Sequence, residues 1–133
     1  SSPDTVISGT MNVAILQVLG GRFVVSESGT VNSVEAFLNS DVYVIGELVA
    51  NHVINVGNVT LMKKADDTAA ITGNVTNEGV VVGNGRIDGE LENNGEVGSD
   101  LKSTSLAVGY FNSSRNGVIK ARITSDSIST YSS

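Results

Sequence analysis

Residues 71–97 read ITGNVTNEGVVVGNGRIDGELENNGEV, short apolar runs broken by Gly or Asn every few positions. Each Gly costs about 1 kcal/mol against Ala in a helix interior, so no helix of useful length fits here. Strands do fit. Ile71, Gly73 and Val75 alternate with Thr72, Asn74 and Thr76, and Ile87 and Leu91 alternate with Arg86, Asp88, Glu90 and Glu92, which is the period of two expected of half-buried strands. The stretch therefore predicts many very short strands joined by tight turns.

The same pattern extends outward in both directions. Arg22–Ser26, Thr30–Val34 and Asp41–Ile45 read as strands, and Val49–Leu61 as a long β run whose parity slips at Gly57-Asn58, where a bulge or corner is expected. Thr10–Leu19 is apolar on both parities and fits a buried strand, with a short capping helix as the alternative; Ser33–Leu38 is expected to make one helical turn capped by Ser33. Met62–Ala70 is the most charged interval and reads as a surface loop. Ile119, Ala121 and Ile123 alternate with Lys120, Arg122 and Thr124 as a last strand. The expectation is one all-β domain over 1–133, with a flexible or exchangeable N-terminal lead at 1–9 and a polar C-terminal tail at 125–133.

Two architectures suit this reading. Cut at its turns, the chain falls into units averaging roughly 15 residues, which fit the coils of a β-solenoid (β-helix) whose inward Val and Ile stack in ladders. The units share no residue at a fixed phase. The alternative is an antiparallel β-sandwich or jelly roll, for which Asn84-Gly85, Asn94-Gly95 and Asn116-Gly117 would be hairpin turns. The reading adopted is the short-stranded solenoid.

Composition narrows the function classes. With 133 residues, 14 acidic against 8 basic side chains and a net charge of −6, the chain lacks the clustered Lys and Arg that phosphate neutralisation needs, so no nucleic-acid partner is expected. No run approaches the ~18 apolar residues of a membrane span. There is no Cys and one His, His52, which removes thiolate and multi-histidine metal sites; no catalytic residue, cofactor or metal is expected.

Gly73–Val97 resembles the coils of right-handed β-solenoids in bacterial autotransporter passengers, phage tail spikes and bactofilins. The segment STSLAVGYFNSS at 103–114 is similar to the head repeat of trimeric autotransporter adhesins, here in a single copy. These resemblances imply surface display, fibre formation or glycan contact, and an extracellular, cell-surface or virion location. They assign no catalytic residue.

Several positions are candidates for function. Arg86, Asp88, Glu90 and Glu92 fall on one parity and are expected to share one strand face, a candidate assembly or ligand surface. Paired carboxylates there would suit glycoside hydrolysis only if a cleft lay between them. Alternating charge on a strand otherwise serves to keep an outer sheet surface wet. Asn58, Asn74 and Asn112 head N-x-S/T sequons and are candidate glycosylation sites. Tyr43 and Tyr110 are candidates for stacking on sugars, whereas Phe111 reads as core. The resulting expectation is a non-enzymatic homo-oligomer or polymer. A polysaccharide-binding or -cleaving tail spike and a bactofilin-like polymer are the alternatives.

Overall fold

The computed structural model describes residues 4–64, 69–98 and 105–120. It is all-β, with 72% of these residues in strands and no helix, and every strand pair is parallel. The strands are β1 (Asp4–Ile7), β2 (Thr10–Asn12), β3 (Ile15–Val18), β4 (Arg22–Val25), β5 (Thr30–Asn32), β6 (Glu35–Leu38), β7 (Asp41–Val44), β8 (Glu47–Asn55), β9 (Asn58–Met62), β10 (Ala70–Asn77), β11 (Val80–Asn93), β12 (Glu96–Gly98), β13 (Ser105–Ser113) and β14 (Val118–Lys120). They wind into a parallel β-solenoid. The antiparallel alternative is excluded by the pairing.

Three faces make up each coil. The first stacks β1, β4, β7, β9, the start of β11, β12 and β14. The second stacks β2, β5, the start of β8, the start of β10, the middle of β11 and the start of β13. The third stacks β3, β6 and the ends of β8, β10, β11 and β13. On the first face Asp4, Arg22, Asp41, Asn58, Val80, Glu96 and Val118 occupy one column, so each marks the start of a new coil. These positions are unevenly spaced in the chain, and the coils are longer than the turn signals suggested, because Gly and Asn also punctuate corners within a coil. The two longest coils run from Asn58 to Val80 and from Glu96 to Val118.

Inward side chains form ladders. Phe23, Val42, Val59, Val81 and Val97 stack on the first face, Val31, Leu48, Ile71 and Ile87 on the second, and Leu16, Ala36, Val53, Val75, Leu91 and Phe111 on the third, all buried. Each coil alone is too thin to bury these groups, and stacking removes both sides of every ladder from water. Val, Leu, Ile and Ala supply most of the rungs and pack closely in so thin a section, with Phe23 and Phe111 the two rings among them.

The expected helical turn at Ser33–Leu38 is absent. Glu35–Leu38 is strand β6, paired on both sides by β3 and β8, while Ser33 and Val34 make the corner before it, with the Ser33 and Val34 N–H groups donating to the Val49 and Ala14 carbonyls at 2.9 Å. Ladder bonds from two neighbours outweigh the few bonds one isolated turn supplies. Thr10–Leu19 resolves into β2 and β3, and the parity slip at Gly57 is a corner between β8 and β9. Asn94-Gly95 and Asn116-Gly117 sit at corners too, and Asn84-Gly85 lies inside β11, so none is a hairpin. Residues 4–7 of the N-terminal lead pair with β4; residues 1–3, residues 65–68 of the charged interval, residues 121–124 of the expected last strand and the 125–133 tail lie outside the described residues.

Candidate functional site

The strand β11 is 14 residues long and passes around all three faces. It turns at Gly83–Gly85 and again at Gly89, where Gly89 stacks over Gly73 at the same corner of the coil below. Gly73 has φ +135, and a Cβ there would overlap the Ala50 carbonyl oxygen; only Gly lets the backbones nest this closely.

That second corner divides the predicted charged surface. Arg86 and Asp88 lie on the second face, while Glu90 and Glu92 lie on the third, so the four do not share a face as their parity suggested. Parity is read along a straight strand, and a corner in mid-strand rotates the outward direction. Arg86 Nε donates to Asp88 Oδ2 at 2.9 Å, with both side chains nearly half exposed. The Glu90 N–H donates to Asn74 Oδ1 at 3.0 Å across the corner. The carboxylates therefore diverge over a convex edge, which provides no position for a substrate between an acid and a base.

The other candidates are also dispersed. Asn58 is exposed on the first face and donates to Asp41 Oδ1 at 3.1 Å; Asn74 and Asn112 are exposed on the third. His52, the first residue of the third face in β8, contacts Thr76 Oγ1 at 2.9 Å and is exposed. Tyr43 lies under the Arg22 guanidinium at 5.0 Å on the first face, Tyr110 is exposed on the third, and Phe111 is buried. No platform combines the two tyrosines. A shallow groove of about 200 Å³ runs along the corner between the first and second faces, with Glu27, Thr30, Glu47 and Arg86 in its lining, and Thr72 Oγ1 donates to Glu47 Oε2 at 3.1 Å beside it. Among the described residues no three His, Cys, Asp or Glu side chains gather as a metal site, and no helix is long and apolar enough to cross a membrane.

Two features escaped the sequence reading. The first is a buried asparagine ladder on the third face: Asn55 Nδ2 donates to Asn77 Oδ1 at 2.8 Å and Asn77 Nδ2 to Asn93 Oδ1 at 2.9 Å, all three fully buried. Each Oδ1 also accepts the N–H of the Gly two residues on, Gly57, Gly79 or Gly95, at 3.2 Å. The signal was Asn-x-Gly-x-Val, present at Asn55–Val59, Asn77–Val81 and Asn93–Val97. A residue type at fixed phase does therefore mark three successive coils, hidden by their unequal lengths, while Val18, Leu38 and Ser113 hold the same position in the others.

The second feature is where apolar surface emerges. The exposed large hydrophobic residues among those described are Val6, Ile15, Leu19 and Val34 in the first two coils, Tyr110, Val118 and Ile119 toward the other end, and Met62 between them. Among the described residues, β1, β2 and β3 each pair on one side alone, as does β14. Val6, Ile15, Tyr110 and Val118 stand in outward columns, so apolar surface emerges on the flanks near both ends, whereas Ile119, in register with inward Val97, leaves an apolar inward rung open at the β14 end. A scan of protein-family models finds no match to the chain, and searches of curated proteins and of solved structures find no significant similarity.

Proposed function

We propose that this chain is a non-enzymatic structural module, a subunit or segment of an extracellular filament, fibre or adhesin that self-associates through the ends of its solenoid. The observation that carries the reading is the exposed Ile119 in the inward column at the β14 end, together with the one-sided pairing of β1, β2, β3 and β14 among the described residues. Unpaired strand edges beside exposed apolar side chains favour addition of another strand layer. Divergent carboxylates on a convex surface favour a scaffold over a polysaccharide-cleaving enzyme. Extracellular placement draws its support from the resemblance of Gly73–Val97 to surface and fibre solenoids.

Sedimentation velocity and electron microscopy across a concentration series test this. The expected result is concentration-dependent elongated species, reduced by Ile119→Lys while far-ultraviolet circular dichroism stays unchanged. A strictly monomeric protein at its highest soluble concentration would overturn the proposal.

A further inference from the structure

Resting on that reading, we infer that the association is polar, the first coil of one copy stacking on the β14 end of a second copy, in register. The direction of the peptide groups carries the argument. In a parallel ladder, both backbone groups of a residue point to the same neighbouring strand, and successive residues alternate. With up taken as the direction from β1 to β14, Ile7 C=O accepts from Ser26 N–H at 2.9 Å and Val25 C=O from Ile45 N–H at 2.8 Å, so inward-facing residues of the first face point up. Val118 N–H donates down to Gly95 C=O at 2.8 Å. Ile119, in register with the inward Val97, therefore points its groups up, while Asp4 and Val6 point theirs down.

These edges complement each other. Placing Asp4 over Val118, Thr5 over Ile119 and Val6 over Lys120 lets Ile119 C=O accept from Val6 N–H and Ile119 N–H donate to Asp4 C=O. Inward positions then continue inward and outward ones outward, and the exposed Ile119 lies against the next layer. Charge agrees with this register. Lys120 Nζ already reaches diagonally to Glu96 Oε2 at 2.9 Å, and Asp4, itself beside Arg22 at 3.9 Å, would lie at the matching diagonal above. The outward surface of the first face then alternates in sign along the diagonal contacts from Glu96 to Lys120 to Asp4, with Arg22 above. β14 stands one level above β13, so the contact is made on the first face.

The absence of cysteine permits a clean test. Asp4→Cys and Val118→Cys are prepared separately, mixed, and treated with a short thiol-to-thiol cross-linker at concentrations where assemblies form. The polar contact predicts cross-linking in the mixture and none in either variant alone, and a ladder of multimers from the double variant. The pair Val6→Cys with Lys120→Cys must give the same pattern, which covers a fault in either single variant. Cross-linking of one variant with itself, or assemblies with no mixed product from either pair, would overturn the polarity and leave end-to-end association standing. Failure of the unsubstituted protein to assemble at any concentration would overturn both.

Discussion

Replacing Asn77 with Ala perturbs the centre of the buried ladder, and its cost can be worked from the contacts. The side chain donates to Asn93 Oδ1 at 2.9 Å and to Glu96 C=O at 3.0 Å, accepts from Asn55 Nδ2 at 2.8 Å, and makes longer bonds to the Gly79 carbonyl and N–H at 3.3 and 3.2 Å. Several partners retain other bonds: Asn55 Nδ2 keeps the Gly57 and Val80 carbonyls, and Gly79 N–H keeps the Asn55 carbonyl. The loss is therefore that of net hydrogen bonds rather than of fully stranded groups. At about 1 kcal/mol for each of the three short bonds, Asn77→Ala should cost about 3 kcal/mol. Asn93→Ala should cost less, because its upward contacts to Ser113 Oγ and the Val118 carbonyl are 3.4 and 3.3 Å. Urea unfolding followed by circular dichroism on monomeric samples measures both. A cost for Asn77→Ala below ~1 kcal/mol, or one no larger than that of Asn93→Ala, refutes the ladder as a stabilising element.

Asn77→Asp should cost more than Asn77→Ala at neutral pH, since oxygen would face the Asn93, Glu96 and Gly79 acceptors; burial raises the folded carboxyl pKa, so stability recovers toward acid and is lost as pH rises, as unfolding at several pH values would show. Gly73→Ala combines a disfavoured φ with overlap on the Ala50 carbonyl and should destabilise by about 3 kcal/mol or more, read as loss of folded yield or of denaturation midpoint. Leu91→Ala empties a fully buried rung and should cost ~2–5 kcal/mol by the same unfolding assay. Asp88→Asn breaks an ion pair whose side chains are 40% and 49% exposed, and should change stability by less than ~1 kcal/mol.

The strand class, the corner at Gly57 and the stacking of Val and Ile were legible in the residues because side-chain alternation and Gly placement act locally. The charged surface was not. Arg86 through Glu92 obey one parity in sequence, but the turn at Gly89 sends their two halves to different faces, and a corner leaves parity unchanged while rotating direction. The helical turn expected at Ser33–Leu38 failed for a related reason, since its fate depended on β3 and β8, each a full coil away along the chain. By itself, then, the sequence determined that the chain must be short-stranded and layered, because Gly and β-branched side chains select extended backbone at each position. Only the tertiary structure decided which residues share a ladder, that Asn55, Asn77 and Asn93 form one buried column, and that apolar surface emerges near the ends. Register between coils of unequal length is fixed by contacts between neighbouring layers, and the one local pattern that repeats in phase, Asn-x-Gly-x-Val, reaches only three of them.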